Sequence, residues 1–311
     1  MAWDAASDDE AMDRKSTAVV RPRRDVRGRM LRADITDWHE LANDGLAIFR
    51  IRRADGAAFF DYQPGQHAQL AFADQPAHDP RPRAYSIASA PLDRSTLEFL
   101  VVLVNNALPN DDTAPGVFTG ALWRHAPGDE VLYSGPAGRF TLDRTTQREV
   151  VCVATGTGLA PFVSMTRALH AAYRASGQAP RRLTLIHGVS YGRYLAYHDY
   201  LTDVAADRGF GLLYVPVISR PDGDPNFRPT MGHGRANDVV RMLLGQPRTG
   251  RVAPSLPPDV LAELHARLAP ERTALYLCGN PEMIRDCKAV AAGAGFPDSG
   301  KASQIITEDY W

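Results

Sequence analysis

From about residue 28 to residue 142 the apolar positions fall in short runs with the spacing of an extended chain. LAIFRIRR (46–53) and LEFLVVLV (97–104) are alternating or unbroken apolar stretches rich in β-branched residues. QPGQHAQLAF (63–72) and APGDEVLYSG (126–135) set turn residues beside further strand signals. No long amphipathic helix interrupts this half, so a compact antiparallel barrel is expected. The pattern changes near residue 148. EVVCVATG (149–156) reads as a buried strand entering a glycine turn, and PFVSMTRALHAAYRA (161–175) has helical spacing. RRLTLIHGV (181–189), LAYHDYLTDVAAD (195–207) and LLYVPVIS (212–219) continue strand, helix, strand. Residues 238–244 and 257–269 predict helices, TALYLCG (273–279) a strand and residues 281–295 a last helix, with long loops over 221–236 and 246–257. Alternating β and α units predict a parallel sheet covered on both faces. The expected fold is thus two-domain: a tail over 1–25, an antiparallel β-barrel over 26–145, and an α/β domain with a parallel sheet over 146–311.

Composition fits that division. A chain of 311 residues is long for one core and comfortable for two domains. Its formal net charge of -1 offers no global field for nucleic acid or a membrane. Charge is biased locally: Asp4, Asp8, Asp9, Glu10 and Asp13 precede Arg21, Arg23, Arg24, Arg27, Arg29 and Arg32. This reads as a solvated tail, or as the edge of a docking face for an acidic partner. Cys152, Cys278 and Cys287 form neither a disulfide framework nor a CxxC metal pair, so no metal site is expected and a reduced, cytoplasmic compartment fits. The acidic N-terminus lacks the apolar core of a signal peptide, and no apolar run is long enough to span a bilayer.

Four internal stretches and the C-terminus carry candidate chemistry. In VCVATGTGLAP (151–161), Gly156, Thr157 and Gly158 follow a strand, and Pro161 stands at a helix start. Small residues there let backbone N–H groups approach a pyrophosphate; a tight strand–helix turn explains them equally well. In RPRAYSIAS (81–89), Arg83 offers a fixed cation for phosphate, Tyr85 a flat ring and Ser86 a small donor and acceptor, unless this is an ordinary surface strand. In GVFTGALWRHAPGDEV (116–131), Thr119 opens a short helical stretch, as a phosphate contact or a plain N-cap. In YLCGNPEMIRD (276–286), Cys278 ends a strand, where ligands reach open α/β sheets, or is simply a buried small thiol. The chain ends TEDYW (307–311), two large rings where termini are usually loose and polar.

RAYS, G-x-x-T, ATGTGLAP, CGNPEM and a terminal E-x-Y-W, in this order and spacing, resemble the ferredoxin/flavodoxin–NADP+ reductase family, most of all its short bacterial members ending in Tyr-Trp. The resemblance covers roughly residues 28–311. It implies an FAD-binding barrel and an NADP(H)-binding α/β domain. Arg83 would contact the FAD pyrophosphate; Ala84, Tyr85 and Ser86 would border the flavin, Ser86 near N5; Val101 would line it. Val117, Phe118 and Thr119 match the segment cradling the FAD phosphates, and Thr157 reaches the flavin from the other domain. Tyr310 would stack on the isoalloxazine and Trp311 fold towards the adenine side, together a lid that yields to nicotinamide. Gly156, Thr157, Gly158, Pro161, Cys278, Gly279, Asn280, Pro281 and Met283 would receive NADP(H).

Ser219, Arg220 and Arg235 would meet the 2′-phosphate, unless the arginines are merely solvated loop residues. The family often has arginine after HGV; here Ser190 stands there, with Arg193 three residues on. Ser86, Cys278, Glu308 and Tyr310 form the implied catalytic set. The implied activity moves a hydride from NADPH to flavin N5 and then single electrons to ferredoxin or flavodoxin, acidic carriers for which Arg24, Arg27, Arg29 and Arg124 offer a rim on a monomeric protein. Rival readings are another acceptor, such as an oxygenase component, free flavin or an iron chelate, and a flavin-bearing subunit without turnover of its own.

Overall fold

The computed structural model describes residues 27–42, 45–75, 79, 81–104, 116–300 and 303–309. The tail over 1–25, with Arg24, and the terminal pair Tyr310 and Trp311 lie outside the described residues.

The first half is a six-stranded antiparallel sheet made of β1 (Leu31–Ala42), β2 (Leu46–Arg53), β3 (His67–Ala71), β4 (Arg83–Ser86), β5 (Thr96–Val102) and β6 (Glu130–Ala137), in the order β4-β3-β6-β1-β2-β5. One short helix, α1 (Val117–Leu122), crosses it. Alternate residues of the strands point inward, so Ala33, Ile35, Phe49, Ile51, Leu70, Phe99, Val131 and Tyr133 share one core. The two edges of the sheet meet where the Ala88 N–H donates to the Glu98 carbonyl (2.8 Å), which curls the sheet as the barrel expectation requires.

The second half is an all-parallel sheet of β7 (Glu149–Thr155), β8 (Arg182–Val189), β9 (Leu213–Ile218), β10 (Gly232–His233), β11 (Thr273–Cys278) and β12 (Ile305–Glu308), in the order β10-β9-β8-β7-β11-β12. Its central strands are buried on both faces, hence their near-continuous apolar runs. Val150, Cys152 and Ala154 pack towards α2 (Ala160–Ser176) and α3 (His198–Ala206), together with Phe140 from the barrel side. Val151 and Val153 face α4 (Ala236–Leu243), α5 (Pro258–Arg267) and α6 (Pro281–Gly293). Two elements were not anticipated as such. β10 lies inside the expected loop over 221–236, and β12 pairs with β11 where only a motif had been read.

The halves join through a buried carboxylate. Glu98, 2% exposed, accepts from Arg50 Nε (2.8 Å), Arg167 Nη1 (2.6 Å) and the Tyr197 hydroxyl (2.9 Å). Arg167 also donates to the Ala88 carbonyl (3.0 Å), and Ser164 Oγ to that of Ser89 (2.6 Å). At the far side the Tyr276 hydroxyl donates to the Thr141 carbonyl (2.9 Å). Burial pushes the Glu98 carboxyl up, but Arg167, Arg50 and Tyr197 outweigh it and hold the group below its ordinary value.

Candidate active site

Strand order in the α/β sheet reverses between β7 and β11, so their carboxyl ends form the crevice where such sheets take ligands. Gly158 and Gly279 close it backbone to backbone. A Cβ on Gly158 would sit 2.4 Å from the Cys278 carbonyl oxygen, and one on Gly279, at φ +130, would meet Thr155 Oγ1 at 2.3 Å. Thr155 Oγ1 also accepts from the Asn280 N–H (2.8 Å). Asn280 caps α6, accepting from the N–H groups of Glu282 (2.8 Å) and Met283 (3.3 Å), and Pro281 follows at the first position. Gly156, at φ +54, has nothing within 4 Å of its would-be Cβ, whereas Gly158 is buried; Pro161 and Met283 are buried behind the turns. Two exposed backbone turns thus stand side by side, each opening a helix: the cradle a dinucleotide pyrophosphate needs.

Cys278 is register partner to Ala154 on β7 and Glu308 on β12. Burial pushes its thiol well up, and the carboxylates of Glu308 and Asp309 add to this. It is a neutral small group at the crevice, not a nucleophilic thiolate. Glu308 Oε1 lies 3.7 Å from His67 Nδ1, and His67 is register partner to Ser86 across β3 and β4. The expected trio Ser86, Cys278 and Glu308 is therefore linked through His67, a residue the motifs did not include. Its surroundings in the sequence showed only a turn and a strand.

On the barrel side Tyr85 packs on Phe118 (centroids 5.0 Å), Phe118 on Phe72 (5.2 Å), and Phe72 stacks on His125 (4.2 Å). Ala84 lies opposite Gln69. Arg83 is an ion-pair partner, with Nη2 on Asp79 Oδ2 (2.5 Å), while Arg81 Nε takes Asp79 Oδ1 (2.6 Å). Hydrogen bonds from Arg81 hold the Asp79 carboxyl far below its ordinary value despite burial, with Arg83 assisting. One expectation needs correction here. Thr119 does not open its helix: Gly116, at φ +103, is the N-cap and Val117 the first helical residue. The Thr119 hydroxyl donates to the Gly116 carbonyl and accepts from the Val104 N–H, both at 3.2 Å, so it braces the strand exit. Val101 is fully buried and Phe118 2% exposed, so both side chains belong to the barrel core.

The coenzyme's outer half would reach the ends of β8, β9 and β10. These are stitched by Ser219 N–H to the Val189 carbonyl (2.9 Å), Arg220 N–H to Ser190 (3.0 Å) and Gly234 N–H to Ile218 (2.9 Å). Arg193 lies over the rings of Tyr191 and Tyr194, each 4.8 Å from centroid, and Arg220 over Tyr191 at 5.8 Å. Tyr191, absent from the motif set, gathers both arginines beside Ser190. Arg235 is the N-cap residue of α4. The fully buried Asp238 accepts from Thr249 (2.6 Å) and Gly250 (2.9 Å) N–H groups, which lays that loop against the Arg235 stem. Thr157 lies in the 3-10 turn Gly156–Leu159, across the crevice from the barrel. Arg124 pairs with Asp74 (3.3 Å). No helix among the described residues is long and apolar enough to cross a membrane.

Comparison with known proteins agrees with this geometry. Residues 33–142 match the oxidoreductase FAD-binding domain model and residues 152–289 the oxidoreductase NAD-binding domain model. A ferredoxin–NADP reductase of Pseudomonas aeruginosa is 28% identical over 282 residues, 86% of this chain and 92% of that protein. A flavohemoprotein of Halalkalibacterium halodurans is 26% identical over 65% of this chain and 47% of its own length. The reductase component of a Mycolicibacterium goodii propane 2-monooxygenase is 28% identical over 72% and 53%. The chain thus spans about half the length of the last two. Among solved structures, a Neisseria gonorrhoeae ferredoxin NADP+ reductase with bound FAD and NADP superposes with a TM-score of 0.65 at 25% identity, covering 91% of this chain and 99% of that one. With an oxidoreductase FAD-binding domain followed by an oxidoreductase NAD-binding domain, the chain belongs to the ferredoxin reductase family of oxidoreductases.

Proposed function

We propose that the protein is an NADPH-dependent flavoprotein reductase that hands electrons to ferredoxin or flavodoxin. The observation carrying this reading is the convergence of the Gly156–Gly158 turn, the Cys278–Gly279 turn and Glu308 on one crevice facing Ser86. The residues fit FAD: Tyr85 offers an aromatic ledge backed by Phe118, Arg83 a cation at its edge, and Glu308 Oε2 a buried oxygen without a hydrogen-bond partner among the described residues. They fit a pyrophosphate as well, through the open backbone at Gly156. FAD, when bound, supplies the conversion between two-electron and one-electron transfer. The chain's own residues do the rest. Gly156, Thr157 and Gly158 with Asn280 bind and orient the dinucleotide. Cys278, neutral and buried, shapes the nicotinamide side and keeps water out. Ser86 and Glu308 hold a proton-exchanging edge beside the ring system. Arg193, Arg220 and Ser219 favour the 2′-phosphate of NADP(H) over NAD(H), with Ser190 supplying a hydroxyl in place of the arginine often found there.

The test is rapid-mixing reduction of the FAD-loaded protein with NADPH and with NADH, followed by turnover with ferredoxin, flavodoxin, an oxygenase component and ferric chelate. Fast bleaching by NADPH with preferential turnover of ferredoxin or flavodoxin supports the proposal; a protein that takes up no FAD refutes it. The diversity of relatives favours one second reading, the same chemistry serving an oxygenase component, and the acceptor series separates the two.

A further inference from the structure

His67 begins β3 and faces Ser86 on β4 and Ala137 on β6. Register partners in an antiparallel ladder show their side chains on one face, so the His67 ring and the Ser86 hydroxyl share a side of the barrel. That side meets the carboxyl end of β12. His67 Nδ1 lies 3.7 Å from Glu308 Oε1, with side chains only 13% and 10% exposed. The approach depends on Gly138, at φ +94: a Cβ there would sit 2.7 Å from His67 Nδ1 and 3.3 Å from Glu308 Oε1. The Gln66 side-chain amide holds that glycine by donating to its carbonyl (3.1 Å). Among the described residues the ionisable neighbours are of both signs, Arg139 following Gly138 on the barrel side. Asp309 follows Glu308, and Cys278 stands opposite on β11 as an undissociated thiol. Among the described residues no arginine or lysine pairs with Glu308, and its second oxygen has no hydrogen-bond partner. A carboxylate this shielded needs a compensating cation or a proton.

We propose that His67 is a positioning residue for the reaction, and that it and Glu308 act as one electrostatically coupled pair at the meeting point of coenzyme and flavin. This rests on the function proposed above. A protonated imidazole fixes the Glu308 rotamer and offsets its charge; a neutral one leaves a lone carboxylate at the same edge. The barrel thereby places a titratable ring against a group that the other domain contributes.

The test uses the full chain and two readouts. Imidazole resonances are titrated with and without FAD, His67 being assigned by its loss in His67→Gln. Glu308→Gln should lower the His67 midpoint, since an opposite charge beside the ring is lost; an unmoved midpoint overturns the pair. Single-turnover reduction by NADPH is then followed from about pH 5.5 to 9, the range in which histidine changes charge. Wild type should show a limb at the His67 midpoint, and His67→Gln should lose that limb while still binding FAD stoichiometrically. A limb that survives in His67→Gln, or in a second variant, His67→Asn, overturns the proposal. A protein that takes no FAD would refute the assigned function instead, and the resonance titration would still decide whether the two side chains are coupled.

Discussion

Cys278 and Glu308 stand side by side, register partners on the parallel strands β11 and β12, although they lie 30 positions apart in the chain. The pairing brings a neutral sulfur and a carboxylate to the mouth of the crevice, and the carboxylate adds to the burial that keeps the sulfur protonated.

Thiol chemistry should follow from that. All three cysteines are buried, and burial pushes each thiol upward. The native protein is expected to resist labelling by a thiol reagent near pH 8, and to react at three sites once unfolded in urea. Rapid labelling of Cys278 in the native state, mapped by mass spectrometry, would contradict a neutral thiol at the crevice.

The close approach of the two turns predicts an intolerant glycine. Gly158→Ala places a methyl group 2.4 Å from a backbone oxygen that cannot swing away. We expect a stability loss of about 1–3 kcal/mol, the usual range for overpacking, together with weakened coenzyme binding. Urea unfolding and NADPH titration measure the two effects.

The arginines gathered on Tyr191 should read the 2′-phosphate. Arg220→Ala is expected to raise the KM for NADPH by about tenfold to a hundredfold, the worth of a lost charge-assisted hydrogen bond. Its effect on NADH should stay within about twofold, because that coenzyme presents no phosphate there. Equal effects on both coenzymes would remove Arg220 from the specificity site.

Two buried groups both lose their contribution to stability as the pH falls, the first from below 6.5 and the second from below 4.5. His187 is fully buried, and burial depresses its pKa from 6.5 to about 3 against a smaller upward effect of a backbone hydrogen bond with Gly156. The unfolded chain takes up this proton first. Stability should therefore fall by up to about 1.4 kcal/mol per pH unit as pH drops below 6.5, levelling near 3. His187→Leu should flatten that slope, as urea midpoints between pH 7 and 5 would reveal.

Glu98 is held below its ordinary value of 4.5, so its contribution is present above that pH and is lost as pH falls through the folded-state value. Glu98→Gln should cost about 3 kcal/mol at neutral pH, near the lower end for breaking a buried pair because Arg50 is half exposed. It should also remove the corresponding loss below pH 4.5. An unchanged urea midpoint at neutral pH would rule out the clamp.

Much of this was legible from residue order. β2 keeps its alternation and appears at its expected bounds of 46–53, and β7, β8 and β11 announce themselves as buried apolar runs. β1 was harder, because register shifts between Ile35 and Asp37 and between Glu40 and Ala42 break its period. β12 is four residues long and gains its identity only from β11 beside it. The motif residues were visible because their chemistry is local. His67 and Tyr191 were not, since a ring beside a carboxylate 241 positions away, or beneath two guanidinium groups, exists only once the strands are paired.

The seam around Glu98 has one further consequence. Prising the halves apart would strip Arg167 from both the Glu98 carboxylate and the Ala88 carbonyl, and take the Tyr197 hydroxyl from that carboxylate. The seam therefore resists any motion of one block against the other.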